Sequence, residues 1–197
     1  MSKAKSREDL ESLRKKCEAE FSILTSEKIH ENPFFYVQLE KVAVSKKVMD
    51  MYIVSKKIPK VVFVVGEREG KILLICQYRH FTKDISYEVV AGSVDENESL
   101  ETAAKREFLE ETGYKPKEIK LIGENYIAPG IMSLKGFVYL ATNLEQFKSE
   151  ESDGEIILDR DFYDMTEVRE MINDGRINDG PSIVALTYYS LYRNNHD

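Results

Sequence analysis

From Ser99 to Gly113 the apolar residues Leu100, Ala103, Ala104 and Phe108 recur at the spacing of one helix face, and Gly113 marks a stop. At roughly 100° per residue, Glu107 and Glu111 fall inside that apolar stripe and Glu110 lies at its edge. Glu101 points away from it. Burying unpaired carboxylates is costly, and the usual remedies are neutralisation or a bound cation. A set of hard oxygen ligands suits Mg²⁺ or Mn²⁺. This one helix therefore predicts a metal site.

The same reading organises the rest of the chain. Ser6 caps a first helix with Asp9 as its acidic partner, and Leu10, Leu13, Cys17, Phe21 and Leu24 continue it as a narrow apolar seam at spacings of three and four. That seam docks either on its own domain or on a second subunit. FFYVQLEKVAV and VMDMYIV read as strands joined by a turn at SKK. A connector containing Pro59 places a boundary after residue 57, giving an N-terminal extension (1–57) and a main domain (58–197). In the main domain VVFVV (61–65) and KILLICQY (71–78) form a hairpin. ISYEVVAG (85–92), IKLIGENYIA (119–128), GFVYLAT (136–142) and EIILD (155–159) are further strands. Thr166 caps a helix ended by Gly175, and Pro181 lies just inside a last helix. Many strands with few helices between them predict a mixed α+β domain, not a doubly wound parallel sheet.

Composition narrows the function. The 197 residues are 42 % hydrophobic and 32 % charged, enough for one domain with a core and a small appended unit. A net charge of −7 argues against broad nucleic-acid binding. No apolar run approaches the roughly 20 residues needed to span a bilayer. The polar start shows no secretory signal, and Cys17 and Cys76 read as free thiols of a reducing compartment. A cytoplasmic protein is expected.

Read whole, GSVDENESLETAAKREFLEETGY (92–114) carries Gly92, Glu98, Arg106–Glu107, Phe108, Glu110–Glu111, Gly113 and Tyr114 at each spaced position of the Nudix box. The chain resembles a Nudix hydrolase. Glu107, Glu110 and Glu111 stand at i, i+3 and i+4, so three carboxylates share one helix face and can hold divalent cations against a diphosphate. Gly92 permits a tight turn between strand and helix. The resemblance implies a Nudix fold, a mixed sheet sandwiched between helices. It further implies that the Ala91 carbonyl is a metal ligand with Glu107, Glu110 and Glu111, and that Glu98 and Arg106 form a supporting ion pair. The opposing reading of the cluster is a solvated acidic face.

Flanking residues resemble the ADP-ribose pyrophosphatase branch, which also covers nucleoside diphosphate sugars. They are CQYRHF (76–81), YEVVAG (87–92), Pro129 in YIAPG, INDGPSIVALTYYSL and the N-terminal strands. The resemblance implies Mg²⁺-dependent hydrolysis of ADP-ribose or a related nucleotide sugar to a nucleoside monophosphate and a sugar phosphate, in a homodimer. Arg79 would pair with a phosphate; Glu88 would touch substrate or metal shell; Tyr36 would stack on a base; Pro129 would line the substrate. One departure stands out. The loop APGIMSLKGF lacks the carboxylate that many members of the branch carry there. The general base then falls to Glu110 or to the acidic loop SEESDGE, with Glu151, Asp153 and Glu155 as candidates. Hydrolysis of dinucleoside polyphosphates or nucleoside triphosphates, and a sensor that binds without cleaving, are the rival functions.

Overall fold

A computed structural model describes residues 4–147 and 156–196. The chain divides into two compact units, Met1–Lys57 with Ala128–Ser133, and Ile58–Ile127 with Leu134–Asp197.

The first unit opens with α1 (Arg7–Glu20) behind a reciprocal cap. Ser6 Oγ accepts the Asp9 N–H at 3.1 Å, and Asp9 Oδ2 accepts the Ser6 N–H at 3.0 Å. The helix ends earlier than the apolar seam predicts. Phe21 and Leu24 lie instead on β1 (Phe21–Glu31), which pairs antiparallel with β2 (Phe35–Val44), and β2 pairs with β3 (Lys47–Lys56). The run Phe21-Ser22-Ile23-Leu24-Thr25 contains aromatic Phe21 and β-branched Ile23 and Thr25, and strand pairing with Val42 to Val44 outweighs its helical spacing. No residue of α1 is buried, and β1 is exposed along all 11 residues. The loop Ala128–Ser133 joins this unit: Val54 N–H donates to the Ile131 carbonyl at 3.0 Å, and Ser55 and Ser133 share a hydroxyl contact at 3.3 Å.

The second unit is an α+β sandwich around a mixed sheet in the order β10-β5-β4-β9-β8. Its strands are β4 (Lys60–Arg68), β5 (Lys71–Arg79), β6 (Asp84–Glu88), β7 (Val90–Ser93), β8 (Tyr114–Tyr126), β9 (Lys135–Gln146) and β10 (Ile157–Tyr163). Helix α2 (Leu100–Thr112) covers one face, and α3 (Met165–Asn173) and α4 (Gly180–Asn194) cover the other. With both faces covered, central β4 is a continuous apolar run, and Val62, Val64 and Val65 are fully buried. Val62 and Val64 pack with Ala103, Ala104 and Phe108 of α2; Phe63 and Val65 pack with Val168, Met171, Ala185 and Leu186. β4 runs parallel to β9 and antiparallel to β7.

Several boundaries differ from the pattern reading for local reasons. The stretch 85–92 is two strands, because the Val89 N–H leaves the ladder to donate to Ser182 Oγ at 3.1 Å. β8 starts at Tyr114, directly after Gly113 (φ 74°) closes α2, and pairs from there with Gln146. Asp164, not Thr166, caps α3: its Oδ1 accepts the N–H groups of Thr166 and Glu167, both at 2.9 Å.

Candidate active site

The loop between β7 and α2 is tied to the helix by one guanidinium. Arg106 donates from Nε to Glu98 Oε1 and from Nη2 to Glu98 Oε2, both at 3.0 Å, and from Nη2 to the Ser93 carbonyl at 3.0 Å. Glu98 also accepts the Asp95 N–H at 3.1 Å. The bond from Arg106 holds the Glu98 carboxyl below its ordinary range, outweighing burial, and the same bond raises the Arg106 guanidinium in turn. The far side of Arg106 meets the acidic helix: Nη1 lies 2.9 Å from Glu107 Oε1 and 3.3 Å from Glu110 Oε2.

The three helix glutamates differ in exposure as their positions on the turn dictate. Glu111 is 2 % exposed, the Glu107 side chain 15 % and the Glu110 side chain 38 %. Glu107 lies across the backbone of Gly92, where a Cβ would stand 1.9 Å from its carboxylate carbon. A Cβ there would fit only if the Glu107 side chain moved away, so the glycine is what allows this close approach of Glu107. Ala91, its neighbour, pairs with Phe63 of β4.

A second charged group sits on β5 and β6. Arg79 donates from Nη2 to Glu88 Oε2 at 2.6 Å, and from Nε to both Glu88 oxygens at 3.2 Å. Buried Gln77 donates to Glu88 Oε2 at 2.9 Å. Glu88 is 2 % exposed, and burial pushes its carboxyl above the ordinary range in spite of the Arg79 and Gln77 bonds. Glu88 therefore anchors Arg79. Gln77 was missed by the pattern reading, although it shares the side of β5 that carries Arg79 and lies two residues away.

Residues 56–183 match the NUDIX domain family. The chain belongs to the Nudix family. It is 27 % identical over 167 residues to the ADP-ribose pyrophosphatase of Bacillus subtilis (strain 168), covering 75 % of this chain and 88 % of the relative. It is 30 % identical over 139 residues to the GDP-mannose pyrophosphatase of Yersinia enterocolitica serotype O:8 / biotype 1B (strain NCTC 13174 / 8081), covering 66 % and 72 %. A crystal structure of an ADP compounds hydrolase superposes with a TM-score of 0.78 at 20 % identity, over 90 % of this chain and 96 % of that one. At that identity the likeness speaks for the fold.

On this Nudix scaffold the candidate donors for a divalent cation are all oxygens, on one helix face beside Gly92, which lies within β7 and not in the tight turn expected from the sequence. Such a set suits a hard cation. Yet Glu107 and Glu110 are turned onto Arg106. Among the described residues, no group of three or more His, Cys, Asp or Glu side chains is set to hold a metal ion. For these donors to hold a cation, Glu107 and Glu110 would have to turn off the Arg106 guanidinium.

Tyr36 and Pro129 lie in the other compact unit. Tyr36 stands on β2 with the Lys28 ammonium 5.2 Å from its ring centre, and Pro129 is exposed in the loop after β8. Glu151, Asp153 and Glu155 fall outside the described residues. No helix among the described residues is long and apolar enough to cross a membrane.

Proposed function

We propose that this Nudix pyrophosphohydrolase cleaves the diphosphate of ADP-ribose or a related nucleoside diphosphate sugar, releasing a nucleoside monophosphate and a sugar phosphate. The observation that carries the proposal is the seating of Glu107 against Gly92 with buried Glu111 one turn further on. The names of the relatives, an ADP-ribose and a GDP-mannose pyrophosphatase, support the substrate class.

Glu107, Glu110, Glu111 and the Ala91 carbonyl would hold Mg²⁺, with Mn²⁺ as a substitute. When bound, such an ion screens the diphosphate charge and lowers the pKa of a coordinated water. Arg79, held in orientation by Glu88, donates to a phosphate oxygen as the bridging P–O bond breaks. A nearby carboxylate accepts the proton of the attacking water, with Glu110, the most exposed of the three helix carboxylates, and Glu151, Asp153 and Glu155 of the acidic loop as the candidates. Gly92, Glu98 and Arg106 keep loop and helix in register. Tyr36, as a base-stacking residue, and Pro129, as a substrate contact, are carried over from the family resemblance alone.

The first unit is read as a dimerisation extension. Phe21, Ile23, Leu24 and Ile29 of β1 are all exposed, which supports a second copy covering them. Two free cysteines suit a cytoplasmic location.

The test is a panel of ADP-ribose, ADP-glucose, GDP-mannose and diadenosine polyphosphates with Mg²⁺, read as released monophosphate. Turnover of a nucleotide sugar supports the proposal. Turnover confined to the dinucleoside polyphosphates, or binding with no turnover, overturns it.

A further inference from the structure

The C-terminal end of α2 carries the most buried of the three helix glutamates, and this end is held from outside the helix. A helix leaves its last carbonyls without partners inside the helix. Here the Leu109 carbonyl accepts the Gly113 N–H at 2.8 Å, and the Phe108 carbonyl accepts the Thr112 hydroxyl. The Glu111 carbonyl accepts Nε of Arg160, from β10. The last turn of α2 has no basic residue of its own, so Arg160 supplies the positive charge that the negative end of the helix dipole favours.

The register makes this contact a consequence of the fold. Arg160 pairs with Ile75, whose side chain is in the core beneath α2, and Phe162, two residues on, packs on the same face. Phe162 meets the Tyr114 ring edge-on at 5.6 Å, and the Arg68 guanidinium lies 3.9 Å over Phe162. β10 thus holds the end of α2 at Glu111 and, just beyond the Gly113 stop, the first residue of β8 at Tyr114.

We propose that Arg160 is a positioning residue for the acidic helix: its bond to the Glu111 carbonyl fixes the turn that aims the Glu111 carboxylate, and so sets affinity for a divalent cation. This rests on the assignment of Glu111 as a cation ligand. Two effects of Arg160 oppose each other. Its charge repels a cation, while its bond orders the ligand. The residue is exposed, so solvent screens its charge. The ordering effect wins.

The experiment titrates Mn²⁺ alone into wild type, R160A, R160K and E111Q, reading bound ion by electron paramagnetic resonance, with melting curves alongside. R160A binds Mn²⁺ roughly tenfold more weakly than wild type, as expected for loss of a residue that orients a ligand. R160K, which keeps a donor and the charge, falls between them and keeps the proposal testable should R160A fail to fold. Under saturating Mn²⁺, R160A recovers kcat for ADP-ribose with KM unchanged. Wild-type Mn²⁺ affinity in R160A, or a lower melting temperature with affinity unmoved, overturns the proposal. Weakened binding in E111Q with none in R160A overturns the role of Arg160 alone. Undiminished binding in both overturns the ligand assignment beneath it.

Discussion

Gly92 lies so close against Glu107 that a methyl group on the glycine would stand 1.9 Å from the carboxylate carbon and 2.2 Å from Oε1. The carboxylate is the mobile partner, since Gly92 is fixed in the ladder opposite Val62. Gly92→Ala therefore leaves the sheet intact and pushes Glu107 outward. A displacement on the order of 1 Å at a catalytic group costs about a hundredfold in rate. The expected outcome is a loss of that size in kcat for ADP-ribose, with circular dichroism unchanged. Full activity in Gly92→Ala would show that Glu107 does its work elsewhere.

Glu111→Gln keeps the shape of a fully buried side chain and removes its charge. Fold and melting temperature are retained, while turnover falls by about two orders of magnitude or more if the carboxylate is a cation ligand. Chelation of divalent ions abolishes wild-type turnover in the same assay. Turnover that survives both treatments rules out the acidic helix as the cation site.

The pair Arg106–Glu98 gives a prediction about pH. The folded-state Glu98 carboxyl sits below its ordinary value of 4.5, chiefly through its bond from Arg106. A depressed carboxyl contributes stability above the unfolded value and loses it as pH falls through the folded one. Arg106→Gln should remove that contribution, about 1–2 kcal/mol for a pair only partly shielded from solvent. Urea unfolding of both proteins at neutral pH and on the acid side measures it: the two curves differ at neutral pH and converge under acid. Parallel curves across that range would contradict the assignment.

Glu88 has the opposite sign. Burial raises its folded-state carboxyl above 4.5, so its stability term is fully present below that value and is lost as pH rises through the folded one. Glu88→Gln, which cannot ionise, gains on wild type over that rise. It also frees Arg79 from its anchor, so KM for ADP-ribose should increase about tenfold, the loss of one oriented charge-assisted bond. A pH-independent stability difference, or an unchanged KM, would each count against Glu88 as the group that orients Arg79.

What could be read along the chain follows how local the cause is. Helix α2 was legible because Ser99, the spacing of Ala103, Ala104 and Phe108, and Gly113 all act within one segment. The contact of Arg106 with Glu110 is an i, i+4 pair and equally local. The end of α1 was not legible: Phe21 and Leu24 keep helical spacing, and only pairing with β2 makes them strand. Nor could spacing reveal that Arg79 meets Glu88, since their meeting depends on the β5–β6 register that sets Cys76 opposite Tyr87. Arg160 is equally hidden from local pattern, 49 residues from the carbonyl it holds.

The last prediction concerns the sheet β1-β2-β3. Phe21, Ile23 and Leu24 are at least half exposed, and Val48 and Tyr52 of β3 more than half. Apolar surface left open on this scale marks an interaction site, and burying it contributes roughly 25 cal/mol per Å². If a second copy covers it, light scattering gives about twice the 22.7 kDa chain mass. Ile23→Glu and Leu24→Glu together place two charges on β1, which has no burial of its own to lose, and should yield a folded monomer. A wild-type monomer at micromolar concentration, or a double variant that remains dimeric, would remove β1 from the interface.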